Sequence, residues 1–267
     1  MESNVIASKH TSKSKSLSTD GVAGDVVVEQ ARRAMTPVTQ SISVREPGQC
    51  HMLAVTRCGW GVIPTTYGEF HQMTFRVNDR WHEYHCLIKA ERWTGDFQPQ
   101  FRWPDKLPLR VDSACVGGMI FGATDCDCRA QLLEAEEEIA RNGEGLIVHI
   151  SGQDGRGKGT GFKCATQILQ KELGYDTVLA ARTLAEGTDI DVRTFGGAVA
   201  VLKFLLGTRQ NVELVLISGN PQKVDALRRN GFRVTIKPSE VPSTPETIRH
   251  LRAKALHLAH VIPSITF

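Results

Sequence analysis

Three thiols fall within one short window, Cys115-Val-Gly-Gly-Met-Ile-Phe-Gly-Ala-Thr-Asp-Cys126-Asp-Cys128. Soft thiolates are preferred zinc ligands, and three protein ligands with one position left open is the catalytic arrangement. The apolar run Leu107-Pro-Leu-Arg-Val111 reads as a strand before them, and residues 127–141 read as a helix after them. The cysteines therefore sit on a strand end, a loop and a helix start. The positive end of that helix favours the thiolate form of Cys126 and Cys128. The bland alternative is three reduced cysteines packed as small apolar side chains. Their clustering in one window favours a metal.

A second feature able to do chemistry is the loop Gly152-Gln-Asp-Gly-Arg-Gly-Lys-Gly-Thr-Gly161. It lies between an apolar strand, Gly145-Leu-Ile-Val-His-Ile150, and a helix over residues 162–173. Glycines there let backbone N–H groups approach an anion, and the helix start adds positive potential. Residues 152–158 satisfy the first part of a Walker A loop, but Gly159 stands where Mg²⁺ needs a Ser or Thr, and Thr160 comes one residue late. Arg156 and Asp154 inside the loop suit a polar ligand better than a flexible linker does.

The surrounding elements must position both features. Residues 1–22, rich in Ser, Lys and Thr, offer little to bury and are expected to be disordered, and a short helix is expected over residues 26–35. Three strands follow, His51-Met-Leu-Ala-Val-Thr-Arg57, the run from Tyr67 to Val77, and the run from His82 to Lys89, as an antiparallel meander with Asn78-Asp79 at a turn. His82 and His85 beside Cys86 invite a metal reading, but histidines on a strand are more often surface or core residues.

From residue 127 helices alternate with strands. The helix over 127–141 closes at Asn142-Gly143, and the next one stops at Gly174. A polar loop spans 183–193, an apolar helix 194–206, and a strand 213–218. Asn220-Pro221 forms an N-cap with proline at the first helical position, a strand runs over 232–236, and Thr244-Pro245 opens a terminal helix reaching about residue 260. The expected fold class is α/β with a mixed α+β sheet: antiparallel strands first, then alternating strands and helices.

The chain has 267 residues, ample for a sizeable core, and a net charge of +3 that suits an anionic small molecule without demanding nucleic acid. An odd cysteine count of 7 fits a reducing compartment. No apolar run approaches a membrane span and no secretory signal is evident, so a cytoplasmic protein with neither membrane nor nucleic-acid partners is expected.

The thiol cluster and the glycine loop together resemble GTP cyclohydrolase II. That family carries a Cys-x10-Cys-x-Cys zinc site, then a Gln-Glu-Gly-Arg-Gly type loop, here Cys115, Cys126 and Cys128 followed by Gln153-Asp154-Gly155-Arg156-Gly157. The likeness continues through Gly174-Tyr-Asp-Thr177, Asp191-Val-Arg193-Thr-Phe195 and Ser218-Gly-Asn-Pro-Gln-Lys223, over roughly residues 60 to 237. It implies a catalytic unit over 46–243, preceded by a weakly ordered extension, 1–45, and followed by a C-terminal helix and tail, 244–267.

The resemblance implies that Cys115, Cys126 and Cys128 bind one Zn²⁺ and that a zinc-activated water attacks C8 of guanine, opening the imidazole ring with loss of formate. Arg156, Ser218 and Lys223 would hold phosphate or other polar groups, Gln131 and Asp154 would face the base, and Thr177 would join them. Arg110, Ser113, Gln153 and Gly155 complete the nucleotide-binding set that the resemblance implies. Arg193 would be the nucleophile that releases diphosphate, with Asp191 as acid/base group and Mg²⁺ accompanying the triphosphate. A homodimer is implied as well.

The chain departs from the family at identifiable places. Asp154 replaces Glu, Gly152 stands where Arg is common, and Asp112 and Ala114 replace the His and Glu of Val-His-Ser-Glu-Cys. Gln167 holds the place of a tyrosine linked to the later hydrolytic step, and the Asp-x-Arg segment needs two extra residues to align. Such changes bear on substrate choice. The alternatives to GTP are a uracil nucleotide, as in relatives assigned to pyrimidine catabolism, and a reaction on GTP that stops at the formamide. A separate class is a non-catalytic zinc and nucleotide-binding module, which would need a fourth protein ligand such as His149 or Asp127.

Overall fold

The computed structural model describes residues 21–78, 83–102, 106–207, 212–241 and 244–263. Helix α1 (Gly21–Ala34) leads into four strands, β1 (Val38–Glu46), β2 (Gln49–Thr65), β3 (Gly68–Val77) and β4 (Glu83–Lys89). Each pairs antiparallel with the next. Alternation explains why: Tyr84, Cys86 and Ile88 of β4 are buried on one face while His85 and Leu87 point to the other. A small pair, β5 (Arg92–Trp93) and β6 (Pro99–Gln100), follows.

The second half runs β7 (Lys106–Ser113), α2 (Val116–Met119), α3 (Cys128–Asn142), β8 (Gly145–Ile150), a 3-10 turn (Asp154–Gly157), α4 (Thr160–Leu173), α5 (Thr177–Ala185) and α6 (Gly196–Leu206). It ends with β9 (Glu213–Ile217), α7 (Pro221–Arg229), β10 (Arg233–Lys237) and α8 (Pro245–Leu258). One eight-stranded sheet results, in the order β1-β2-β3-β4-β8-β7-β9-β10. Strand β8 is the seam, antiparallel to β4 and parallel to β7. The β7–β9 and β9–β10 pairs are parallel. The expected mixed sheet is therefore present, meander first. The carboxyl ends of β7, β8 and β9 come out side by side, the place where open α/β sheets bind ligands.

The larger core lies between one sheet face and α6, whose buried run includes Val199, Val201, Leu202, Phe204 and Leu205. A smaller one, Phe70, Ala135, Ile139, Ile147 and Ile217, sits under α3. The main core forces α6 very close to the sheet. A Cβ on Gly197 would overlap the Tyr84 hydroxyl, and one on Gly196 would overlap a Glu46 carboxylate oxygen.

Four sequence expectations need correction. The segment before residue 46 is not all weakly ordered extension, because β1 pairs along its length with β2 and buries Val44 completely. The expected first strand, 51–57, continues to Thr65 through a bulge at Arg57/Gly59, where a Cβ on Gly59 would stand 3.3 Å from Thr74 Oγ1. The polar stretch after Thr183 is not loop from its start, because α5 runs to Ala185, capped by the Asp176 carboxylate accepting from the Val178 and Leu179 N–H groups. The disorder expected for residues 1–22 does not hold at 21 and 22, where α1 begins, five residues earlier than the helix expected from 26; residues 1–20, and His82, lie outside the described residues. Cys86 is an interior residue whose thiol burial pushes up, remote from ligand chemistry.

The α6 contact makes a stability prediction. Gly197→Ala gains helix propensity but overpacks against Tyr84, so a net loss of about 1–3 kcal/mol is expected. Thermal unfolding should show it as a drop of roughly 2–4 °C per kcal/mol. Adding Tyr84→Phe should recover part of the loss, and an unchanged melting temperature in Gly197→Ala would refute the close packing.

Candidate active site

Strand β7 ends at Ser113, and Cys115 caps the short helix α2 that turns the chain away from the sheet. Gly118 lies in that turn. A Cβ there would stand 2.7 Å from Cys126 Sγ and 3.3 Å from Cys115 Sγ, so a larger residue would displace the sulfurs. Cys128 begins α3. The three Sγ atoms all lie within 4.8 Å of one another, with Cys115 and Cys126 at 3.7 Å. Lys163 Nζ, from α4, donates to Cys115 Sγ at 2.8 Å.

The charge state follows from this crowding. Hydrogen bonds from the Cys126 and Cys128 thiols, and then from Lys163, hold Cys115 as a thiolate far below the ordinary thiol range. Donating to that thiolate pushes Cys126 and Cys128 up. A soft cation set among the sulfurs would take the place of the shared protons, so the donor set fits zinc. Among the described residues, no further His, Asp, Glu or Cys joins the group. The two nearest candidates are engaged elsewhere: Asp127 Oδ2 accepts from Gln131 Nε2, and His149 Nδ1 pairs with Asp112 Oδ2 at 2.8 Å.

The glycine loop reaches the same space from the end of β8. Gly155 (φ 58°) and Arg156 (φ 57°) are both left-handed. That conformation is uncommon for arginine, and it is held by two bonds, Nη1 to the Thr177 carbonyl at 3.0 Å and Nη2 to Thr177 Oγ1 at 3.1 Å. The Val192 N–H donates to the Arg156 carbonyl at 3.0 Å, and a Cβ on Gly157 would lie 3.1 Å from Arg193 N. The loop therefore fixes the 191–193 segment. Arg193 Nε and Nη2 donate to the two Asp191 carboxylate oxygens at 2.8 and 2.6 Å. Burial alone would raise Asp191, but this pairing holds it below its ordinary value.

Below α3, Arg110 and Asp112 share one face of β7. Arg110 Nε and Nη2 donate to Asp112 Oδ1 at 2.9 and 2.6 Å, and Nη2 also reaches Gln131 Oε1 at 3.1 Å. Burial pushes Asp112 up, yet Arg110, His149 and Lys223 together keep it below the usual carboxylate range. Lys223, on the expected Asn220-capped helix α7, donates to the Val111 carbonyl at 2.7 Å. Burial first, and then the charge of Arg110, bring Lys223 down to about 7.

Two adjoining cavities open over these strand ends, of about 140 and 100 Å³. The first is lined by the three cysteines, by Gln153, Asp154, Gly155 and Arg156, and by Thr177. The second is lined by Arg110, Gln131, Ser218 and Lys223. Ser113, Cys128 and Arg193 face both. Asp191 lines neither and stands behind Arg193. Asp154, expected toward the base, turns Oδ1 to the Val116 N–H at 2.8 Å and braces the turn after Cys115. Ser113 Oγ donates to Gln153 Oε1 at 2.7 Å, fixing both side chains.

Sequence reasoning missed Lys163, the Gln167–Asp125 pair (Nε2 to Oδ2, 2.8 Å), and three residues from the C-terminal segment, His250, Lys254 and His260. A signal existed for some of them. Lys163 and Gln167 are spaced i, i+4 on the helix after the loop, as are His250 and Lys254 on α8, which places each pair on one face.

Comparison with known proteins is consistent with this geometry. The model of the family GTP cyclohydrolase II matches residues 61–238. The GTP cyclohydrolase-2 of Streptomyces coelicolor is 34% identical over 204 residues, 76% of this chain and 85% of its own. Riboflavin biosynthesis protein RibBA of Chlamydia muridarum is 38% identical over 201 residues, 74% of this chain and 43% of its own. The RibBA of Chlamydia trachomatis is 37% identical over 209 residues, 77% of this chain and 45% of its own. The chain thus spans less than half the length of the chlamydial relatives. Among solved structures, RibBX, a two-domain 3,4-dihydroxy-2-butanone 4-phosphate synthase from A. baumannii, aligns at a TM-score of 0.31 and 15% identity over 80% of this chain and 44% of its own, too distant to inform the fold. The matched segment takes in the three cysteines, the glycine loop, Asp191-x-Arg193 and Ser218 to Lys223, and on that match the chain belongs to the GTP cyclohydrolase II family.

Proposed function

We propose that this protein is a zinc-dependent cyclohydrolase that opens the base ring of a nucleotide, with GTP as the default substrate and formate and diphosphate as leaving groups, the chemistry of riboflavin biosynthesis. One observation carries the reading: the three-thiol cluster and the side chains of Arg156 and Arg193 line one cavity. Zinc, when bound, supplies Lewis acidity, which acidifies water for attack on a ring carbon. Cys115, Cys126 and Cys128 hold it, and Lys163 offsets part of their negative charge through its contact with Cys115.

Arg110 and Gln131, coupled at 3.1 Å, present donors and an amide edge to the base. Ser218, Lys223 and Arg156 bind the polar and phosphate groups. As the family likeness implies, Arg193 would meet the α-phosphate as nucleophile, its nitrogen bonding to phosphorus as the bond to the diphosphate oxygen breaks and water later hydrolysing the P–N bond, with Asp191 orienting the guanidinium through two hydrogen bonds and serving as the acid/base group. Mg²⁺ travels with the triphosphate, and two copies of the chain pair as the family likeness implies.

A second reading has its own observation. Gln167, in the place of the family tyrosine, is bonded to Asp125 rather than offering a phenol to the cavity. A uracil nucleotide as substrate, or a reaction on GTP that ends at the formamide, fits that change. Zinc-loaded protein incubated with GTP and with UTP separates the readings through loss of ring absorbance, with formate assayed alongside. Consumption of neither nucleotide removes the cyclohydrolase reading.

Two further outcomes are expected. Cys126→Ser should lower bound zinc, measured by atomic emission, and take turnover below detection; normal turnover would separate the cluster from the reaction. Lys223 should be protonated by its ligand. Its amine titrates near 7 in the open site, and a phosphate beside it favours the ammonium, so the bound-state value rises. At pH 8, nucleotide binding should then take up on the order of one proton, and affinity should fall as pH rises above 7. Calorimetry in buffers of different ionisation enthalpy reads the uptake, and Lys223→Met should abolish it.

A further inference from the structure

The C-terminal segment lies outside the family match, yet it closes over the candidate site. Thr244 starts α8 with a reciprocal cap to Thr247 and Pro245 at the first helical position. Its Oγ1 also donates to the Thr124 carbonyl at 3.3 Å, in the loop that carries Cys126. Leu251 and Ala253 are buried. Beyond the helix, the Val261 N–H donates to the Gly219 carbonyl at 2.9 Å. A Cβ on Gly219 would collide with the Val261 carbonyl oxygen, so this crossing depends on glycine.

The segment is thus fastened at one end to the cysteine loop and at the other to the Ser218-Gly219-Asn220 turn. Between those ties, Lys254 and His260 face both cavities, at the boundary between them. The cavities of about 140 and 100 Å³ are each below the roughly 300 Å³ at which small-molecule sites begin. A nucleotide exceeds either space alone, so a bound one would span both and pass the segment at their boundary. The electrostatics identify what it closes upon. Burial and the charges of Lys254, Arg193 and Lys223 bring the His260 imidazole down to about 3, with Asp191 opposing. Among the described residues, Lys254 forms its ion pair with Asp127 Oδ1, at 3.9 Å. Cations therefore converge on the boundary and call for an anion.

We propose that residues 244–262 form a lid over the active site, and that Lys254 and His260 on it bind the phosphates of the nucleotide once it has entered. This rests on the nucleotide reading above, but its tests do not require turnover. Inorganic tripolyphosphate is the probe for the anion contacts, titrated calorimetrically into full-length zinc-loaded protein. Lys254→Ala and His260→Ala should each weaken binding by about tenfold, the scale of a lost charged hydrogen bond, read on folded samples matched to wild type in zinc content. Arg252→Ala, on the exposed face of α8, should bind as wild type does. Unchanged affinity in both lid variants, or no tripolyphosphate binding by the wild type, overturns the proposal.

Docking of the lid is tested separately. Gly219→Ala displaces Val261, so amide hydrogen exchange across residues 245–258 should accelerate and a chelator should strip zinc faster. Exchange as slow as in the wild type means that the crossing does not hold the lid. If no nucleotide is opened but the lid variants lose tripolyphosphate, the lid stands and the cyclohydrolase reading falls. If GTP is turned over and both lid variants keep the wild-type KM, the lid falls alone.

Discussion

Three sulfurs held within 4.8 Å of one another cannot all carry charge unless a cation sits among them. Much of the local architecture follows from that constraint. The turn through Gly118 exists because a side chain there would displace two of the sulfurs. Asp154 is drawn out of the glycine loop to hold the Val116 N–H, which stiffens the same turn from the opposite side. Lys163 approaches Cys115 from α4, so the helix after the loop is tied electrostatically to the helix before it. The cluster thereby joins β7, α3 and α4, the elements that form the walls of the cavity.

A second set of charges, deeper under α3, shapes the neighbouring cavity by a different balance. Arg110 and Asp112 are both almost fully buried, and isolating either charge would be costly. They persist because each finds several partners: Asp112 takes two bonds from Arg110 and one from His149, and Arg110 also reaches Gln131 and the Ile217 carbonyl. Lys223 is compensated less: Asp112 attracts its charge, but burial and the charge of Arg110 outweigh that. Its hydrogen-bond partner is a carbonyl, and its ammonium is disfavoured until an anion arrives. One buried cation is thus held by several partners, while the other is left electrostatically incomplete, as the proposed anion contact requires.

Most of this could be read in the sequence where local chemistry decides structure. Asn220-Pro221, Thr244-Pro245, Gly143 and Gly174 mark helix ends that the chain does form, because caps depend on a few adjacent residues. The strand alternation of β3 and β4 was equally legible. Reading failed where tertiary contact overrides local preference. Gly59 and Gly61 look like breakers but lie inside β2, held by pairing with β3. Helix α5 has nine residues, too short to announce itself by period, and its cap Asp176 lies in a motif that drew attention for Thr177 instead. At the site, the clustered thiols and the loop arginine carried their own signal. Lys254 offered only its i, i+4 spacing from His250 and His260 offered nothing, because their place at the site comes from where α8 and the chain beyond it pack.

The departures from the family pattern acquire a physical meaning in this context. Asp112 is neutralised by Arg110 and His149, Asp154 is spent on the Val116 N–H, and Gln167 is paired with Asp125. Each substituted side chain has found a partner within the protein instead of pointing into solvent. A carboxylate already satisfied by protein donors presents less acceptor capacity to a bound base, since every hydrogen bond it keeps is one the ligand must compete for. Arg156, Arg193 and Ser218, the groups proposed to meet phosphate, make none of these contacts, although Arg156 shares the 3-10 turn of Asp154. If those groups meet phosphate as proposed, an exchange at residue 167 leaves them in place, whereas one at residue 154 acts on the turn that carries Arg156 and one at residue 112 acts on the charge balance of Lys223.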